Sequence, residues 1–141
     1  MATHADAELI LKLYTIRTEE TMRKARHFVG IEFNPATFEE LRAVQTGLGT
    51  QENAYYRQVM SYWEMAASFV LRGAVDPDLF FESNSENLFL CAKFHHFQEE
   101  HEQATGRRMM ARTGKLIEKF PAARAGFEGA LKAVEARRAK A

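Results

Sequence analysis

Apolar residues recur along this chain at three- and four-residue intervals and almost never alternate, so the pattern predicts helices throughout and no strands. The most ordered stretch is Asn53 to Phe80. On a helical wheel Tyr55, Tyr56, Val59, Met60, Tyr62, Trp63, Ala66, Ala67, Phe69, Val70 and Leu71 fill an arc of roughly 200°, about twice the stripe of a helix with one buried side. A helix of that kind belongs in the middle of a bundle. Gly73 supplies its stop, and Asp76-Pro77 restarts the chain with a capping carboxylate and a proline at the first helical position.

The first helix is predicted to start at Thr3, with Asp6 completing a capping box, and to run without a break to Val29. Ile10, Leu11, Tyr14, Met22, Ala25, Phe28 and Val29 make its expected core stripe. Leu9, Leu13 and Ile16 lie on the opposite side and form a second apolar face, the expected partner interface. Further helices follow the Thr37-x-x-Glu40 box and Thr50, run from Glu86 to Thr105 with Gly106 as the stop, and occupy Arg107 to Phe120 and the stretch after Pro121. Five to six helices with short joints predict an all-α, single-domain bundle over residues 1–141, with a basic tail, 137–141, expected to fray.

Composition sharpens this. With 46% hydrophobic residues and eleven Phe, 141 residues suffice for one core without crosslinks, and the single cysteine, Cys91, suits a reducing compartment. No apolar run reaches the ~20 residues of a membrane span and no signal-peptide pattern opens the chain, so a cytoplasmic protein is expected. Net charge is zero but polarised. Residues 1–106 hold 9 Lys+Arg against 16 Asp+Glu, and residues 107–141 hold 10 against 3.

Candidate chemistry is sparse. His96 and Glu100 stand one turn apart, but two ligands are not a metal site, and no Glu-x-x-His occurs. No metal and no cofactor is therefore expected. Glu64 borders the apolar arc and needs a positive partner or donors if buried; a structural ion pair or a solvent-facing carboxylate is the plainer reading. Tyr55, Tyr62 and Trp63, with Glu64, could line a ligand pocket, although aromatic residues at helical spacing are more often core. Arg108, Arg112, Lys115 and Lys119 form a basic stripe. Neutral net charge and the absence of interleaved aromatics argue against nucleic acid or anionic lipid as its partner, and favour a solvated or subunit-pairing face.

The segments Asn53-Ala-Tyr55, Ser61-Tyr62-Trp63-Glu64-Met65 and Gly73-Ala-Val-Asp76, with Arg17-Thr-Glu19-Glu20 and Phe33-Asn34-Pro35, resemble a family of small bacterial all-helical proteins of unknown function. The resemblance implies a helical domain and carries no catalytic residue. The expected function is a non-enzymatic interaction or oligomerisation module, with a homo-oligomer or another protein as partner. A small-molecule-binding bundle with an aromatic pocket near Tyr62 and Trp63 is the alternative, and a metal- or carboxylate-dependent enzyme ranks below both.

Overall fold

The computed structural model of the chain describes residues 1–140, and these form an all-helical bundle. Its helices are α1 (His4–Arg17), α2 (Glu20–His27), α3 (Phe38–Thr46), α4 (Gln51–Leu71), α5 (Pro77–Ser83), α6 (Glu86–Phe94), α7 (Gln98–Thr105), α8 (Ala111–Lys119) and α9 (Pro121–Lys140). A π-turn, Phe28–Glu32, extends α2, and a 3-10 turn, His95–Phe97, joins α6 to α7. With α6 and α7 counted as one bent rod there are eight helices among the described residues, two more than the upper expectation. One extra is α5, the two-turn helix that follows the Asp76-Pro77 restart. The other comes from a break in the predicted first helix.

That break lies at Thr18-Glu19. The Glu19 backbone is extended and its carboxylate accepts hydrogen bonds from the backbone N–H of Thr21 and Met22, so it starts α2 as a cap. These bonds hold the Glu19 carboxyl below its usual range. Glutamate is an uncommon cap, and the apolar stripe runs past it unbroken, so periodicity does not reveal the break.

The predicted starts at Thr3, Thr37, Thr50 and Asp76 all carry side-chain caps. At α3 the Glu40 carboxylate reaches one residue further back than a capping box requires, to the N–H of Ala36. Gly73 and Gly106 end α4 and α7 in the left-handed conformation that glycine adopts without strain.

Helix α4 is the centre of the bundle, flanked by α2, α3 and α8. Tyr56, Val59, Tyr62, Trp63, Ala66, Ala67 and Val70 are buried around it, and Met65 looks outward. Its first turn also closes α3: the buried Asn53 side chain donates to the carbonyls of Val44 and Gln45, two of the acceptors a helix end leaves free. On the far side α6 lies along α9, where a Cβ at Gly126 would come within 2.8 Å of Leu88.

The two apolar faces of α1 depart from expectation at four positions, while Ile10, assigned to the core, does pack on it. Leu13, assigned to a partner, is buried, and Leu9 packs half-buried on the core. Leu11 and Tyr14, assigned to the core, are 64% and 54% exposed. Ile16 does face solvent. Periodicity detects two apolar faces but contains nothing to say which one meets α4 and α5.

Candidate functional site

Several charged and aromatic residues of α1, α2, α4 and α6 are taken up by one another. Trp63 is fully buried and its indole N–H donates to Glu86 at 2.8 Å. The same carboxylate receives Arg26 through Nε at 2.9 Å and Nη2 at 3.1 Å, a fork-on-carboxylate pair. Arg26 also donates to the carbonyl of Arg17, whose own guanidinium donates to Asn84 and lies 5.5 Å from the Trp63 ring centroid. Tyr62 donates to the carbonyl of Leu13 at 2.6 Å and tucks its ring edge-on against Trp63.

The expected aromatic pocket beside Tyr62 and Trp63 is therefore filled by the protein itself. Both rings lie in the core, and their polar atoms are matched internally. Tyr55 is half-buried against Phe28 and borders an open groove of about 980 Å³ between α2 and α4. Much of that groove's charge is paired, through Arg26 with Glu86, Lys24 with Glu20 and His27 with Glu32.

A different arrangement forms where α7 turns into α8. Helix α8 begins four residues later than the apolar pattern suggests, because residues 106–110 make a turn held from two sides. Gln98 clamps it by accepting from the N–H of Met109 at 2.7 Å and donating to the Met109 carbonyl at 3.1 Å. Met109 and Met110 sink into the core, which draws Met110 into a left-handed backbone at φ 49°, uncommon for a residue with a side chain. From α4, Glu64 then caps α8. Its two oxygens accept from the N–H groups of Arg112 at 2.8 Å and Thr113 at 3.0 Å, and from the Thr113 hydroxyl at 2.9 Å. Glu64 is thus neither an ion pair nor a free carboxylate. It is a cap supplied from another helix, which sequence spacing could not show.

With the turn held in this way, Arg107 and Arg108 project outward beside Arg112 and Lys115. Arg42 joins them from α3, and His101 from α7. Together they line a concavity of about 600 Å³. Its two carboxylates are engaged, Glu64 with the α8 backbone and Glu118 with Arg108 at 3.6 Å. Among the described residues no carboxylate pairs with Arg42, Arg107, Arg112 or Lys115; Arg42 donates only to the neutral Gln45. Partial burial, with Arg42 and Arg107 nearby, lowers the His101 pKa, and the buried Nδ1 of that ring has no partner. A shallower recess of about 290 Å³ continues over Tyr56 and Met60, where the Gln45 amide donates to the Tyr56 hydroxyl.

Three residues of the predicted basic stripe, Arg108, Arg112 and Lys115, meet in this pocket. Lys119 does not; its ammonium sits over Phe120, 5.3 Å from the ring centroid. Arg42, His101 and Arg107 were not singled out. The Gly106-Arg-Arg-Met-Met run was the available signal for Arg107, since two buried methionines after a helix stop force the intervening arginines outward. Nothing local marks Arg42, which arrives through the packing of α3. His96 and Glu100 are exposed, and among the described residues no three His, Cys, Asp or Glu side chains gather around a common point. Cys91 is buried, and burial pushes its thiol up to about 11.

Residues 2–120 match the model of the family described as Domain of unknown function (DUF4760), and the chain belongs to that family. The match ends one residue before α9 and includes every residue of the basic pocket. No curated protein and no solved structure matches the chain. No helix is long and apolar enough to cross a membrane among the described residues.

Proposed function

We propose that this protein is a non-enzymatic binding module for a small polyanion, held in the basic pocket between α3, α4, α7 and α8. The observation that carries this reading is the convergence of five basic side chains on one concavity whose two carboxylates are already occupied. Four of the five have no carboxylate partner among the described residues; like charges gathered in this way raise one another's energy, and an anion relieves that repulsion while forming charge-assisted hydrogen bonds. The concave shape favours a compact ligand over an extended backbone. The pocket lacks the aromatic plates that grip nucleobases, so a phosphorylated or pyrophosphate-like group suits it better than a nucleic acid strand.

Isothermal titration with inorganic pyrophosphate tests the proposal. Binding is expected to weaken with salt, and the Arg112→Ala/Lys115→Ala variant is expected to lose at least about tenfold in affinity, since a hydrogen bond to a charged group contributes about 1.5–3 kcal/mol. Equal affinity in the two proteins, or no binding by either, refutes it.

Self-association is a second reading, supported by the exposed face of α1. Leu11 and Tyr14 stand one turn apart in solvent, a surface able to meet its own copy about a two-fold axis. Light scattering should then give twice the 16.1 kDa chain mass for the wild type and the single mass for Leu11→Glu. A monomeric wild type ends this reading.

A further inference from the structure

A second cavity lies between the segment after α2, α6 and α9. Its origin is the π-turn after α2. There the Phe33 N–H returns to the Phe28 carbonyl, and the chain leaves the helix toward Pro35, which has no N–H to give. The carbonyls of Val29 and Gly30 would lack helical donors, and Lys93 of α6 reaches across to both, at 2.8 and 3.1 Å. An ammonium has three N–H donors, so this half-buried lysine keeps one beyond the two carbonyls.

Beside it is a cavity of about 370 Å³, toward the small end of the range for ligand sites. Phe89, Phe97 and Val134 give it apolar walls. Lys93, Arg137 and Arg138 give it positive charge, with the Arg138 guanidinium 5.6 Å from the centroid of the Phe97 ring. No carboxylate lines it, and among the described residues neither arginine pairs with one. The lining differs from that of the first pocket, where Met110 and Ala111 are the apolar residues among the cations and no phenyl ring is present. Here three cations edge a cavity walled by two aromatic rings and a valine.

We propose that this cavity binds a medium-chain monocarboxylate, its apolar body against Phe89, Phe97 and Val134 and its carboxylate among Lys93, Arg137 and Arg138. Apolar walls reject a fully hydrated anion such as phosphate, and the basic edge rejects an alcohol or amine of the same length. Burial and the neighbouring Arg137 lower Lys93 to about 8, which is consistent with a cation lacking a counter-charge. The site depends on α9, and its lining shares no residue with the polyanion pocket.

Titration calorimetry with octanoate, acetate and octylamine on the full chain is the test. Octanoate should bind; acetate has no apolar body and octylamine the wrong charge, so both should bind at least tenfold more weakly. Arg138→Glu, a change on the exposed end of α9, should weaken octanoate at least tenfold and leave the circular dichroism unchanged. If that variant fails to fold, Arg138→Gln should weaken octanoate by a smaller factor. Arg112→Ala/Lys115→Ala should bind octanoate as the wild type does, which separates this site from the polyanion pocket. Octanoate that does not bind, that binds no better than acetate, or that is indifferent to the Arg138 changes overturns the proposal.

Discussion

Arg26 and Arg112 belong to the same residue type and come to opposite ends. Arg26 closes on Glu86, which also holds the Trp63 indole, and its third nitrogen donates to a backbone carbonyl. Arg112 contributes only its backbone N–H to an internal bond, while its side chain joins four other cations around open space. The first arrangement satisfies every charge from within the chain and so explains itself as architecture. The second gathers five cations against two carboxylates and leaves four of the cations without an ion-pair partner, at an electrostatic cost, which is where an external ligand should be sought.

Substitutions can test this division. The largest effect should come from Glu86→Gln. It leaves Arg26 half-buried without its counter-charge and weakens the acceptor for Trp63, so urea denaturation should show a loss of about 3 kcal/mol with pyrophosphate binding unchanged. An unaltered midpoint would mean that the closed network is ornamental.

Glu64→Ala should cost less, about 1–2 kcal/mol, by uncapping α8 and stranding the buried Thr113 hydroxyl. The same change removes a negative charge from the basic pocket and frees two N–H groups at a helix start, so pyrophosphate should bind more tightly. Lower stability with higher affinity is the signature; weaker pyrophosphate binding would show that Glu64 shapes the pocket rather than opposing its ligand.

Lys93 stands between the two cases, bonded to carbonyls yet surrounded by like charge, and its effect should be the smallest. It loses its proton near pH 8 in the folded protein and near 10.5 when unfolded. Between those values the unfolded chain binds more protons, so stability from this group rises with pH. Cys91, moved from 9 to about 11 by burial, acts in the opposite sense above pH 9. The interval from pH 8 to 9 therefore belongs to Lys93. Chemical denaturation there should show stability rising in the wild type and this rise absent in Lys93→Met.

Elements and caps were legible in the sequence wherever one local device decides them. Thr3, Thr50, Asp76-Pro77, Gly73 and Gly106 act within four residues of themselves. The wide apolar arc of α4 likewise marks a central helix because an arc of that width has no other use. The faces of α1 were not legible, since Leu11 and Leu13 carry the same side chain and only the position of α4 and α5 distinguishes them. The site was half legible for the same reason. Arg108, Arg112 and Lys115 share a helical stripe or its approach, but Arg42 comes from 65 residues away or more, and Glu64 is recruited to α8 across 48 positions.

The Gln98 clamp on Met109 has a consequence for how a ligand would be met. Because Gln98 and Glu64 together fix residues 106–113, the arginines rest on a backbone ordered before anything binds. Little loop entropy remains to be lost on association, so preorganisation, rather than the number of contacts, would set the affinity. A ligand would encounter the pocket ready-made, and loosening Gln98 should be felt first as faster escape of the ligand, with its rate of arrival little changed.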